Sequence, residues 1–146
     1  MSHVKDFGAV GDGKADDTAE LQHAINDGER RVVIPHGTYR ITKSLVIDLD
    51  KVGFTSISGD GGTAKIVMDG PGPALRMVGT HQGTADPSSF KPNVWQSQRM
   101  PTVSGLEIVG NHPEAVGIQL EHTMQATLTG VLIRKCKFGI HLITRN

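Results

Sequence analysis

Apolar residues in this chain come in short runs, and only once do they fall at helical spacing. Leu21, Ala24, Ile25 and Gly28 form that stripe, which predicts a helix over residues 17–27 with Gly28 as its stop. With Asp17 as N-cap, Glu20 occupies the third helical position, the spacing of a capping box. Both carboxylates would also lie near the positive end of the helix dipole. Ahead of the helix, Val4, Phe7 and Val10 alternate weakly as buried candidates, and Gly11-Asp12-Gly13 signals a turn. Beyond Glu29-Arg30-Arg31 the pattern switches to strands. Val32–Ile34, Tyr39–Ile41, Leu45–Ile47, Phe54–Ile57, Lys65–Met68 and Ala74–Val78 are short runs bounded by Gly, Pro, Asp or Ser. Residues 80–100 interrupt them with a polar, structureless stretch carrying Pro87, Pro92 and the only tryptophan, Trp95. Loops of that length in compact domains are functional or disordered.

From Pro101 the strands return and repeat. Gly105-Leu106-Glu107-Ile108 is echoed 25 residues later by Gly130-Val131-Leu132-Ile133. Gly117-Ile118-Gln119-Leu120 is echoed 22 residues later by Gly139-Ile140-His141-Leu142. Two interleaved echoes of this period mark a solenoid. Each unit holds at least two strands and no helical pattern, which selects a β-solenoid over helical repeats. Leu106, Ile108, Ile118 and Leu120 then point inward. The stretch from Val32 to Asn146 accommodates roughly four to five turns. No closing element follows the last strand, so Phe138, Ile140, Leu142 and Ile143 are expected in or beside an open parallel edge, which invites pairing. The expectation is a fragment of a longer β-helix, or a homo-oligomer formed through that end.

Composition narrows the class. A chain of 146 residues is one domain able to bury about 68–70% of its unfolded surface. Fifteen basic and fifteen acidic residues cancel, so no basic excess points to nucleic acid. Eighteen glycines and few aromatics imply many turns and thin aliphatic packing. The single cysteine, Cys136, excludes an internal disulfide and a cysteine-rich zinc site. No run is long enough to span a membrane, and no signal-peptide core opens the chain. As written it is cytoplasmic; cut or processed from a longer protein, it would be extracellular or virion-associated.

Three segments carry a family resemblance: Asp6-Phe7-Gly8-Ala9-Val10-Gly11-Asp12-Gly13, Asp16-Asp17-Thr18, and Ile34-Pro35-His36-Gly37-Thr38-Tyr39-Arg40-Ile41. Together they resemble the opening of the pectate lyase superfamily. More narrowly, they are similar to its single-stranded right-handed β-helix branch, which includes polygalacturonase-like proteins and phage tailspikes. The resemblance covers roughly the first 45 residues. It implies that Asp12, Asp16, Asp17 and Glu20 belong to a structural cap closing the N-terminal end of the coil. The fold class that follows is all-β, a right-handed parallel β-helix. Residues 1–31 form its N-terminal cap with one α-helix, and residues 32–146 form coils with an 80–100 insertion, open or truncated at the C-terminal end. Parallel returns of this kind are right-handed.

The chemistry is thinner. Asp12, Asp16 and Asp17 are oxygen donors that could take calcium, but their spacing is not that of an EF-hand, and capping already accounts for Asp16 and Asp17. No metal site is assigned. Glycoside hydrolysis needs two carboxylates flanking the bond. Glu107 and Glu121, on outward strand phases, are the catalytic candidates, against the reading of isolated solvated acids. The Asn-Thr-Asp, Asp-Asp, Gly-His-Gly and Arg-Ile-Lys elements of the polygalacturonase branch are absent, so the resemblance transfers no catalytic residue. His81, His112, His122 and His141 fit no zinc spacing. Lys135 and Lys137 beside Cys136 could lower its pKa, but without an identifiable partner it reads as a packed or exposed inert thiol. The best binding candidate is the 80–100 loop. There Trp95 and Phe90 offer a platform for a sugar ring, with Arg99, Asn93, Gln96 and Gln98 as hydrogen-bonding groups; the competing reading packs Trp95 back on the wall.

Two functions stand. One is the N-terminal part of a polysaccharide lyase or glycoside hydrolase that acts on or binds polysaccharide without a complete active site in this chain. The other is a non-catalytic tailspike- or fibre-like module that self-associates through its open end.

Overall fold

The computed structural model describes residues 1–27, 29–144 and 146. Its architecture is mostly β, and every strand pair is parallel. An N-terminal layer holds β1 (Ser2–His3), a 3-10 turn at Val4–Phe7, β2 (Asp12–Asp16) and α1 (Thr18–Asn26). The first rung follows as β3 (Arg31–Ile34), β4 (Gly37–Ile41) and β5 (Leu45–Asp48), then a short corner helix α2 (Leu49–Val52). The second is β6 (Ser56–Gly59), β7 (Ala64–Met68) and β8 (Gly72–Val78). After an insertion carrying α3 (Pro92–Ser97), the third is β9 (Thr102–Gly110) with β10 (Ala115–Glu121), and the fourth β11 (Thr127–Arg134) with β12 (Phe138–Ile143).

Register explains how these runs make one body. Val32, Ile57, Val103 and Leu128 stack on one another, and so do Tyr39, Ile66, Ile108 and Ile133. A third column runs Leu45, Leu75, Ile118 and Ile140. Side chains alternate along a strand, so columns of like phase fill the interior while the intervening residues line the outside. The interior members from Val32 through Ile118 are buried. β9 and β11 each serve two faces because they bend at Gly105 and Gly130, both at φ +61°. A Cβ on Gly105 would also stand 2.9 Å from the Gly59 carbonyl oxygen, too close for any other residue.

The N-terminal layer meets all three strands of the first rung. β1 pairs with β3 and β2 with β4. On the third side, where a helix has no free backbone to offer, Gln22 of α1 receives the Val46 N–H at 2.8 Å and donates to the Val46 carbonyl at 2.8 Å. One amide side chain thus takes the place of a strand residue against β5. Leu21, Ala24 and Ile25 turn into the core as their spacing predicts; the expected stop at Gly28 lies outside the described residues.

Several local expectations are corrected. Val10 is half exposed and Ala9 is the buried residue, because Val4–Phe7 winds into a 3-10 turn rather than extending. Asp17 is the N-cap by position but makes no capping hydrogen bond. Its buried carboxylate turns back to accept the Val10 and Gly11 amides, each at 2.9 Å. Asp16 accepts the Thr18 amide at 3.1 Å instead, so no capping box forms, and Oε2 of Glu20 is buried without a partner among the described residues. Nor is α1 the only helix, since α2 and α3 turn corners too short to show periodicity.

The fourth rung continues the same columns but is uncovered. Phe138, Ile140 and Leu142 pair with Val116, Ile118 and Leu120 and share their inward phase, yet remain 47%, 48% and 60% exposed. Leu120→Ala should therefore cost about 2–5 kcal/mol, and Leu142→Ala under about 1 kcal/mol, in urea unfolding. Equal losses at the two leucines would contradict this account of the last rung.

Candidate functional site

The 80–100 insertion is ordered by two buried polar side chains. Gln98 accepts from the Thr80 amide at 2.7 Å and the Thr80 hydroxyl at 3.0 Å, and its amide group reaches Asp50 at 3.4 Å. His81 donates its backbone N–H to the His122 carbonyl at 3.0 Å, and its own carbonyl lies 2.9 Å from Nδ1 of His122. With both ends of the excursion pinned, Asp86 accepts the Ser88 amide to open a 3-10 turn at Pro87–Ser89, and Pro92 stands in the first turn of α3. Far from structureless, the segment holds a defined surface.

On α3, Val94 points into the body and is buried, so its neighbour Trp95 faces out, 45% exposed. The Phe90 ring packs edge-on against buried His81, with centroids 4.9 Å apart. It lies nearly parallel to Trp95, at 10° and 6.4 Å between centroids. Together with Pro87, Pro92, Gln96 and Gln125 they line a cleft of about 450 Å³. The guanidinium of Arg99 sits 5.5 Å from the Trp95 centroid and 5.8 Å from that of Phe54. The rings thus form an apolar floor with amides at its border, suited to the flat C–H face of a saccharide.

Trp95, Phe90 and Arg99 come together as the sequence suggests, and Gln96 joins them. Gln98 does not, because it is spent inside as an anchor, and Asn93 is exposed with its carbonyl accepting from Ser97. Gln125 belongs to the cleft but escaped sequence reasoning. It arrives from the turn between β10 and β11, held at φ +55°, and only rung stacking brings that turn beside the insertion.

The two carboxylate candidates stay apart. Glu107 lies on β9 in the larger sheet, and Glu121 ends β10 in the smaller one. Neither is a free surface acid. Glu107 accepts from Arg134 at 2.7 Å and lies 3.6 Å from Lys65. Glu121 is gripped by Arg76 and accepts from Gln119 at 3.1 Å. The Arg76 hydrogen bond, aided by Gln119, holds the Glu121 carboxyl below the ordinary glutamate value against the opposing effect of burial. That is the reverse of the raised pKa a general acid needs.

The acidic N-terminal cluster is occupied with backbone. Asp12 accepts the Lys14 and Ala15 amides, each at 2.9 Å, and these amides lower its pKa. Asp16 is lowered chiefly by the Thr18 hydroxyl, then by that of Thr42. Among the described residues no three His, Cys, Asp or Glu side chains gather as they would around a metal ion. The His122 ring meets the backbone carbonyl of His81 and not its ring, while His112 accepts the Glu114 amide and His141 packs on Phe138. Cys136 is not activated by its flanking lysines: burial pushes the thiol pKa up. No described helix is long and apolar enough to cross a membrane.

The family described as rhamnogalacturonase A/epimerase, pectate lyase-like matches residues 1–98. A probable glucan endo-1,3-beta-glucosidase of Arthroderma benhamiae is 34% identical over 82 residues, 47% of this chain and 9% of that protein. Mannuronan C5-epimerase AlgE3 of Azotobacter vinelandii is 50% identical over 44 residues, 27% of this chain and 2% of that protein. The chain therefore spans a small part of the length of either relative. Among solved structures, ORF18 of Geobacillus virus E2 superposes with a TM-score of 0.62 at 23% identity, covering 81% of this chain and 22% of that one, a likeness of fold.

Because the Glu121 pKa is lowered on folding, the unfolded chain binds the proton more readily. The stabilisation is full above the unfolded value and is lost as pH falls through the folded one. Glu121→Gln should lower the urea midpoint at pH 7 and flatten its decline between about pH 5 and pH 3 relative to the native chain. A decline of unchanged steepness would remove Glu121 from the acid response.

Proposed function

The chain belongs to the rhamnogalacturonase A/epimerase, pectate lyase-like family, and on that premise we propose that it is the N-terminal part of a carbohydrate-active right-handed parallel β-helix protein that binds polysaccharide. The parallel rungs support the β-helix, and the general handedness of parallel crossovers supports its sense. Residues 1–31 act as the cap, with Asp12, Asp16, Asp17 and Glu20 in structural roles, and residues 32–146 as coils interrupted by the 80–100 insertion. The observation that carries the binding role is the Phe90–Trp95 pair, Trp95 exposed and Phe90 half-buried, flooring a cleft beside Arg99. Both relatives are named for action on polysaccharides, a glucan in one case and a mannuronan in the other.

Catalysis, as lyase or glycoside hydrolase, belongs in this reading to the whole protein rather than to this chain. A hydrolase needs two carboxylates on either side of one bond; Glu107 and Glu121 sit on separate sheets, each committed to an arginine. The chain alone should bind oligosaccharides from a panel of neutral and acidic polysaccharides without releasing reducing ends or unsaturated uronates. Trp95→Ala should weaken that binding by about tenfold, the equivalent of ~1.4 kcal/mol of lost stacking. Unchanged affinity in calorimetry of a folded Trp95→Ala variant would reject the platform.

A second reading, a non-catalytic module that assembles through its C-terminal edge, is favoured by the inward-phase residues Phe138, Ile140 and Leu142 standing uncovered. In that case sedimentation should show a concentration-dependent oligomer that Ile140→Lys converts to monomer; a monomer at all concentrations rejects it.

A further inference from the structure

The described arginines divide into two groups. Arg40, Arg76 and Arg134 are each paired with a carboxylate, Asp69, Glu121 and Glu107 respectively. Arg30, Arg31 and Arg99 have no acidic partner within ion-pair distance among the described residues. Arg30 and Arg99 lie against Phe54, and Arg31 shares a recess with it. Arg30 lies 4.9 Å and Arg99 5.8 Å from its ring centroid, and a recess of about 300 Å³ is lined by Arg30, Arg31, Phe54 and Met100 with hydroxyl residues of the neighbouring rungs. The one acid on that lining, Glu29, is taken by the N-terminal amine at 2.8 Å.

This arrangement is built rather than incidental. Arg30 adopts φ +63°, a costly conformation for a residue other than glycine. Gly53 across from it sits at φ +79°, where a side chain would be strained, and a Cβ there would stand 3.3–3.4 Å from the Arg30 guanidinium. Arg30 can therefore lie against Gly53 and Phe54. A guanidinium stacked on a ring keeps its in-plane N–H donors outward, the geometry that grips a carboxylate bidentately. Below it, Arg31, Ser56, Thr102 and Thr127 form one outward column, rung upon rung, so the recess opens onto a line of hydroxyls.

Arg99 is the hinge between this recess and the aromatic cleft, since its guanidinium faces both Phe54 and Trp95. We propose that Arg30, Arg31 and Phe54 form a second, anion-reading subsite continuous with the Trp95–Phe90 cleft through Arg99, and that its ligand is an acidic oligosaccharide. One sugar stacks on Trp95 while carboxylates further along the same chain take the free guanidinium edges. The assignment rests on the aromatic cleft being a saccharide site. That reading, with the hydroxyl-lined border, is what selects an acidic sugar over a nucleic acid, for which arginine and aromatic residues would otherwise also serve.

The test compares hexagalacturonate with its fully methyl-esterified form, which keeps the shape and removes the charge, by calorimetry on the intact chain. The acid should bind at least about tenfold tighter in low salt, with the gap closing as salt rises. The double variant Arg30→Gln/Arg31→Gln should bring the two affinities within about twofold while leaving the ester's affinity unchanged, and Trp95→Ala should weaken both oligomers. Equal binding of acid and ester by the native chain overturns the anion-reading subsite and leaves the cleft standing; so does a double variant, folded by its urea midpoint, that keeps the preference. Failure of both oligomers to bind overturns the subsite together with the cleft. Tighter binding of a thymidine hexanucleotide than of hexagalacturonate overturns it in favour of a nucleic-acid surface.

Discussion

Parallel stacking in register is the constraint on which everything else in this chain depends. A strand in such a stack satisfies its backbone only through the rung before and the rung after, so Val32 must meet Ile57 and Ile57 must meet Val103. A slip of one residue would turn each interior column outward. The same rule places the outer columns. Arg31, Ser56, Thr102 and Thr127 are not near one another in sequence, yet they line up because their neighbours Val32, Ile57, Val103 and Leu128 are locked inside. Core and surface are two phases of one pattern.

The constraint is hardest to meet at the ends, where a rung has one neighbour. At the N-terminal side three unlike pieces meet it: β1 against β3, β2 against β4, and the amide of Gln22 against β5. Asp17 serves the same purpose one layer out, fixing the Val10–Gly11 backbone that lets β2 lie on β4. At the other side Phe138, Ile140 and Leu142 keep the interior phase and stand exposed.

Much of this was legible in the residues. The echoes at 25 and 22 positions are the register itself, since Leu106 pairs with Val131 and Ile118 with Ile140. The step from Val32 to Ile57 is also 25, but the step from Ile57 to Val103 is 46, because the insertion falls between those two rungs. That single interruption hid the kinship of the first and second halves. Polar roles were harder to read. Gln22 bonds to backbone brought near by stacking, Gln98 bonds to the amide of Thr80 at the far end of its own insertion, and Glu107 and Glu121 are neutralised by arginines 27 and 45 positions away. Contacts of that range leave no local pattern. Trp95 was visible as a candidate; its exposure was decided by Val94 taking the inward place on α3.

The insertion shows how a repetitive scaffold supports an irregular site. A surface loop with an exposed tryptophan would ordinarily lose affinity to the cost of ordering it on binding. Here the ordering is done within the fold: Gln98 and His81 are buried and bonded across the excursion's base, and Phe90 rests on the His81 ring. The anchors draw on the neighbouring rungs, Asp50 at the α2 corner and His122 after β10. The pairing that fills the core therefore also fixes Trp95 and Phe90 relative to Arg99 and Phe54. Preorganisation of the cleft is inherited from the register of the stack, and a change that loosened the second or third rung would blunt the cleft before it unfolded the chain.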